Sequence, residues 1–205
     1  MCAIVASFDK LKFKELYALN AYRGESSYSL ATFHDDINGV ALDTLKQGHG
    51  IMPEHLIEDT STTSSSYIVC HSQAPTSQTD NIHPAVYGRT LLWHNGIIKQ
   101  KEITQDTWDT EWLLESIVNY DWSSLSGIDG TFACLMYHGS DLFVFRNEIS
   151  PLFIDKDLNI SSTKFEKSES LLPNKVFKLN IGYKIIEPVS TFKTKENPYY
   201  IPGLL

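Results

Sequence analysis

Cys2 carries the most chemical potential in this 205-residue chain. It stands directly behind Met1 and opens the apolar run "CAIVASF". Removal of the methionine, which is usual ahead of a small residue, would place a thiol and a free α-amine on one residue. An α-amine titrates near pH 8, about where an enzyme works. It can take the thiol proton directly or through a water, so the pair is a nucleophile with its own base. The plainer reading is a small residue at the start of a strand. Asn95-Gly96, in "LLWHNGII", is a second constellation. Glycine lets a substrate approach the backbone, and the asparagine amide adds a donor, which is what an oxyanion needs. Asn-Gly is also the commonest hairpin turn.

The other candidates are weaker. Cys70 and Cys134 sit inside apolar strand patterns and are expected to be buried thiols. His71, His83 and His94 show no metal-ligand spacing and are expected to orient loops, so no metal is predicted. There is no GxGxxG and no phosphate-binding loop, so no nucleotide cofactor is expected. A formal net charge of -8 argues against nucleic acid or an anionic membrane as partner. No apolar run reaches spanning length, and the start lacks the features of a signal peptide. Three scattered cysteines do not make a disulfide framework. A cytoplasmic setting fits best.

The elements that must position these residues are legible in outline. Residues 2–8 read as a buried strand and 10–22 as a helix with Leu11, Leu16, Leu19 and Tyr22 on its apolar face. Strands follow at 28–33 and 39–45. "DTSTTSSS" is a surface loop, and 66–73 and 89–96 are strands. Residues 109–120 form an amphipathic helix with Asp109 as N-cap and Leu113, Leu114, Ile117 and Val118 as its buried stripe. Short strands at close spacing fill the rest, which favours antiparallel meanders. The class is α+β, with 1–205 read as a single domain.

Taken together, a series of segments resembles the glutaminase domain of class II glutamine amidotransferases, which are N-terminal nucleophile hydrolases. "MCAIV" is similar to the family's start, and "YRGESS" to its Arg-Gly segment. "HSQAPTS…NIHP" is similar to its His-Thr-Arg-Trp-Ala-Thr and Ala-His-Pro stretches. "LLWHNGII", "WDTEWLLESI" and "GIDGTFACLMY…LFVFRNEISPLFI" follow in the family's order, so the resemblance runs from residue 2 to about residue 180. It implies a four-layer αββα sandwich and hydrolysis of the glutamine side-chain amide through a thioester. The ammonia would pass to a second active site. By position, Cys2 would be the nucleophile, Asn95 and Gly96 the oxyanion hole, and Asp109 the partner of the substrate α-amine. Thr76 and His83 would line the pocket.

The departures carry information too. Gln73 stands where the family has an arginine for the glutamine α-carboxylate. A neutral amide in place of a charged fork would weaken binding by on the order of 1.5–3 kcal/mol. Only Arg23, Arg89 and Arg146 remain in the chain, and Arg23 is the better substitute. Asn147 replaces an acidic residue and is expected to concern strand packing. No synthetase signature follows, so a separate ammonia-accepting synthetase subunit is expected as partner. The apolar tail 195–205 either docks on that partner or packs back on its own domain. The alternatives are an N-terminal-cysteine hydrolase of another amide, and a binding or regulatory module that keeps the fold without the activity.

Overall fold

The structure is a computed structural model describing residues 2–60, 66–74, 81–104, 107–119 and 121–194. In chain order the strands are β1 (Ala3–Ser7), β2 (Ser27–Asp36), β3 (Gly39–His49), β4 (Tyr67–Gln73), β5 (Ala85–Tyr87), β6 (Thr90–Ile98) and β7 (Gly130–His138). They continue with β8 (Asp141–Arg146), β9 (Phe153–Ile154), β10 (Ile160–Ser161), β11 (Glu169–Ser170), β12 (Lys175–Asn180) and β13 (Ile185–Thr191). The α-helices are α1 (Lys10–Leu19), α2 (Glu54–Glu58) and α3 (Asp109–Ile117). One sheet has the order β11-β9-β10-β1-β4-β2-β3 and the other β13-β12-β8-β7-β6-β5, with antiparallel pairing throughout.

Strand periodicity explains the layers, because alternate side chains point to opposite faces. Ile4 and Ala6 of β1, Tyr67 and Val69 of β4, and Ala31 and Phe33 of β2 meet Leu91 and Trp93 of β6 and Leu135 of β7 between the sheets. The alternate residues Val5, Leu30, Ile68 and Cys70 face outward onto Phe13 and Leu16 of α1. On the other sheet Leu92, Phe132, Cys134 and Met136 face outward onto Leu113, Leu114 and Ile117 of α3. The result is helix, sheet, sheet, helix. Burying each such large apolar side chain is worth about 1.5–3 kcal/mol.

Two local expectations change. The buried face of α1 is Phe13 and Leu16, while Leu11 is 78% exposed and Tyr22 67% exposed. The helix stops at Leu19 because Asn20 turns its Nδ2 back onto the Leu16 carbonyl, and a 3-10 turn at Ala21–Arg23 follows. The N-cap of α3 is Trp108, not Asp109, which is the first helical residue. The Asp109 carboxylate instead accepts the N–H of Ile98 on β6, at 3.1 Å. No helix among the described residues is long and apolar enough to cross a membrane.

The inter-sheet layer changes character at one end of the sandwich. Following the same alternation, Cys2 extends the face of Ile4 and Ala6, Asn95 that of Leu91 and Trp93, and His71 and Gln73 that of Tyr67 and Val69. Ser27 and Ser29 do the same on β2. Apolar filling thus gives way to a buried polar cluster at the start of β1.

Candidate active site

Cys2 lies at the head of this cluster, 5% exposed. The backbone amide of Ala74 lies near its sulfur, and its carbonyl oxygen accepts from Arg23 Nε at 2.8 Å. Arg23 reaches that carbonyl because Gly24 seats the preceding 3-10 turn against the Gln73–Ala74 peptide. A Cβ on Gly24 would sit 2.7 Å from the Ala74 nitrogen. The Arg-Gly pair therefore supplies a guanidinium to one side of Cys2, and the space for it. Burial pushes the Cys2 thiol up, against the pull of the Ala74 amide; nearby Asp109 also raises it and Arg23 lowers it.

Asn95 and Gly96 lie inside β6 rather than in a turn, so the hairpin reading of "HNG" is set aside. Gly96 is opposite Phe132 of β7. The Phe132 backbone is engaged on its other side by Asn147, whose Oδ1 accepts from Phe132 N and whose N–H donates to Phe132 O. Gly96 therefore occupies a non-hydrogen-bonded position of the β6–β7 ladder, and its N–H points away from β7. β5 has ended by then, since its last pair is Ala85 with Leu92. Neither neighbouring strand takes this donor. Glycine is required here because a Cβ would run into the Thr131 carbonyl. Asn95 Nδ2 donates one hydrogen to Ser162 Oγ at 3.2 Å, leaving its second available. Ser162 Oγ in turn accepts from Ile4 N at 2.9 Å, so one hydroxyl ties β1 to Asn95.

Three buried histidines back this arrangement. His71 donates or accepts through Nε2 at the His94 carbonyl, 3.0 Å away, and a carbonyl only accepts, so Nε2 carries the proton. His83 stacks on His71 with ring centroids 4.0 Å apart, and it lies between Gln73 Oε1 at 3.2 Å and Thr110 Oγ1 at 3.1 Å. His94 lies between Thr110 Oγ1 at 3.0 Å and the Thr131 carbonyl at 3.3 Å. Burial holds all three neutral: it pushes His71 down to about 3, and His83 and His94 are lowered as well. The sequence predicts that these histidines orient loops; their hydrogen-bond partners lie instead on strands and on α3.

The remaining expected residues fall as follows. Gln73 is 7% exposed, and its Oε1 also lies 2.9 Å from Ser27 Oγ, so this amide end is already occupied within the protein. Asp109 is half-buried at the start of α3, close enough to raise the Cys2 thiol. Thr76 and the tail 195–205 lie outside the described residues, as does most of the serine-threonine loop. Cys70 and Cys134 are buried; burial pushes Cys70 up to about 12 and Cys134 well up. Arg146 is spent on the carbonyls of Leu171, Asn147, Glu148 and Ser150. No cluster of three metal-ligating side chains occurs among the described residues. A cleft of about 900 Å³ opens around Phe8, Lys12, Asp155 and Lys184, at the opposite end of β1. Its lining has neither thiol nor imidazole, and charges of both signs. Sequence reading missed Ser162, Thr110 and the Ala74 amide.

No family model matches the sequence, and no curated protein matches it. Solved structures do match. One is a glutamine phosphoribosylpyrophosphate amidotransferase from B. subtilis complexed with ADP and GMP, at TM-score 0.62 and 16% identity, covering 92% of this chain and 49% of that one. Another, described as the allosteric regulatory enzyme of purine biosynthesis, has TM-score 0.62 and 15% identity, covering 92% of this chain and 48% of that one. The chain thus spans about half the length of the structures it matches. What it shares with them is the fold, a four-layer αββα sandwich.

Proposed function

We propose that this protein is a glutaminase of the class II amidotransferase kind, with Cys2 as nucleophile once Met1 is removed. The carrying observation is that one buried hydroxyl, Ser162 Oγ, accepts from Asn95 Nδ2 and from the Ile4 N–H two residues past Cys2, which ties the strand that begins at Cys2 to the strand that offers the Asn95 amide and the Gly96 N–H. A thiolate and two donors facing a common space are what acyl transfer through a thioester needs. The fold shared with a glutamine amidotransferase supports the choice of amide.

In this reading the α-amine of Cys2 takes the thiol proton and the sulfur attacks the carboxamide carbon. The oxyanion is held by Asn95 Nδ2 and Gly96 N. As the tetrahedral intermediate collapses, the C–N bond breaks and the α-ammonium returns its proton to the departing ammonia. Water then attacks the thioester, giving up a proton to the same amine, and glutamate leaves with the sulfur reprotonated. Asp109 pairs with the substrate ammonium, and Arg23 fixes the Cys2 carbonyl. His83 flanks the pocket, and for Thr76 that role rests on the family resemblance alone. We further propose that the ammonia goes to a synthetase site on a separate subunit. The greater length of the solved neighbours leaves room for such a second site.

The test is release of ammonia and glutamate from glutamine by the wild type and by Cys2→Ala. Stoichiometric release lost in the variant, with its melting temperature kept, is expected. Equal release by both would overturn the assignment.

A further inference from the structure

Behind Asn95 and Gly96 runs a line of four hydrogen-bond contacts: Gln73 to His83, His83 to Thr110, Thr110 to His94, and His94 to the Thr131 carbonyl. Neutral side chains do not hold enough protons for it if Gln73 only accepts. Each imidazole contributes one proton, the threonine hydroxyl one, and the carbonyl none. That makes three protons for four contacts.

The assignment follows from the carbonyl end. Thr131 O only accepts, so His94 carries its proton on Nε2 and leaves Nδ1 bare. Thr110 must then give its hydroxyl proton to His94 Nδ1, at 3.0 Å, rather than to Asp109 Oδ1 at 3.4 Å. The Thr110 oxygen accepts from His83 Nε2–H, and His83 Nδ1 is bare in turn. It needs a donor, and the residue facing it is Gln73. The two ends of a side-chain amide are isosteric, and the proton count places nitrogen toward His83. Its two hydrogens then meet His83 Nδ1 and Ser27 Oγ, which lie 3.2 and 2.9 Å from that end of the side chain. Every proton of the line from Gln73 to Thr131 is used once, and the Ser27 hydroxyl turns from donor to acceptor toward Gln73.

We propose that Gln73 is a positioning residue whose amide N–H donates to His83 Nδ1. It thereby closes a relay that holds His94 in its Nε2–H form beneath Gly96 and keeps the Asn95 and Gly96 donors aimed at the reacting carbonyl. The last clause rests on the amide-hydrolase reading; the tautomers do not. The relay lies against the Gly96 backbone, since a Cβ there would lie 2.8 Å from His94 Nε2, and His71 holds the His94 carbonyl just before Asn95. The other way to supply a fourth proton is an imidazolium, which burial opposes at His83 and His94 alike. The titratable groups around the relay are His71, stacked on His83, Asp109 beside Thr110, and the Cys2 and Cys134 thiols.

Histidine-selective nitrogen NMR of the intact wild-type protein tests the tautomers without reference to activity. The expected result is Nε2–H, neutral, for His83 and His94 from about pH 8 down to about pH 5.5, across the range where a free imidazole titrates. An Nδ1–H form at either residue, or a titration in that range, would overturn the proposal. Kinetics test the role. Gln73→Met removes the donor, and kcat for glutamine should fall about ten-fold with KM within about two-fold, as for a misplaced rather than a missing donor. Gln73→Glu accepts when ionised, reverses the relay and strips the Nε2 proton from His94; one added proton restores it. Its kcat relative to wild type should therefore rise as pH falls from about 8 to about 6. A raised KM at unchanged kcat in Gln73→Met would make Gln73 a substrate contact and reject the positioning role. Should the wild type show Nε2–H histidines but no amide hydrolysis, the relay stands and the active-site reading falls.

Discussion

Asn95 donates a hydrogen bond to Ser162 Oγ at 3.2 Å, across 67 residues of sequence. The same hydroxyl accepts the N–H of Ile4, two residues beyond Cys2. One serine thereby sets the distance between the strand of Cys2, the proposed nucleophile, and Asn95, the proposed oxyanion donor. Ser162→Ala leaves a buried N–H without its partner, at a cost of about 1–3 kcal/mol. It also frees Asn95 to rotate. We expect Ser162→Ala to lower kcat while Asn95→Ala lowers it further, by about 10²–10³, the usual effect of losing one oxyanion donor. Steady-state kinetics with denaturant unfolding separates the two, and full activity in Ser162→Ala would contradict the linkage.

Gly96→Ala should fail for a steric reason. The added methyl runs into the Thr131 carbonyl, which is backbone held in the β6–β7 ladder and cannot swing aside. Loss of at least about 2 kcal/mol of stability, together with loss of turnover, is expected. Gly139→Ala is the comparison: nothing lies within 4 Å of its Cβ, although its φ of +66° still imposes backbone strain. A Gly96→Ala protein as stable as wild type would refute the packing described for this strand.

The buried histidines predict how stability depends on pH. His71, His83 and His94 are all lowered on folding, chiefly by burial, so below about pH 6.5 the unfolded chain binds protons that the folded protein refuses. Stability is therefore complete above that pH and falls as pH drops below it, continuing toward about 3 for His71. Each histidine contributes about 1.4 kcal/mol per pH unit inside the window. Urea midpoints between about pH 7 and 5 should fall steeply, and less steeply in His71→Asn. A flat profile would mean that the histidines are not neutral and buried.

Arg23→Lys keeps a positive charge near the thiol but loses the planar fork that reaches the Cys2 carbonyl. Turnover should drop while the melting temperature changes little. Unaltered kcat would show that fixing the Cys2 backbone is unimportant.

The parts of the site legible in sequence were those with a local signature. Cys2 ahead of an apolar run, Asn-Gly after "LLWH", and Arg-Gly after the first helix each announce a requirement of backbone or chemistry. Ser162 announced nothing, because a serine just past a two-residue strand has no periodic pattern, and its partners Ile4 and Asn95 lie far off in sequence. Aspartate favours the N-cap, so the sequence predicts Asp109 there, yet the Ile98 N–H of the neighbouring strand competes for the carboxylate and wins. The buried stripe on α1 departs from the periodic pattern for a related reason. In a short helix Leu11 fits the period as well as Phe13, and only packing against Val5 and Ile68 decides which is buried. Layering, in contrast, followed from strand alternation.

The central claim is that Cys2, freed of Met1, forms the covalent intermediate. Mass spectrometry of the protein quenched in acid during turnover, or after reaction with a glutamine analogue bearing an electrophile in place of the carboxamide, tests it directly. The account predicts an N-terminus beginning at Cys2 and one added acyl group, mapped to that residue and absent in Cys2→Ala. Retained Met1 with no adduct, or an adduct on Cys70 or Cys134, would contradict it.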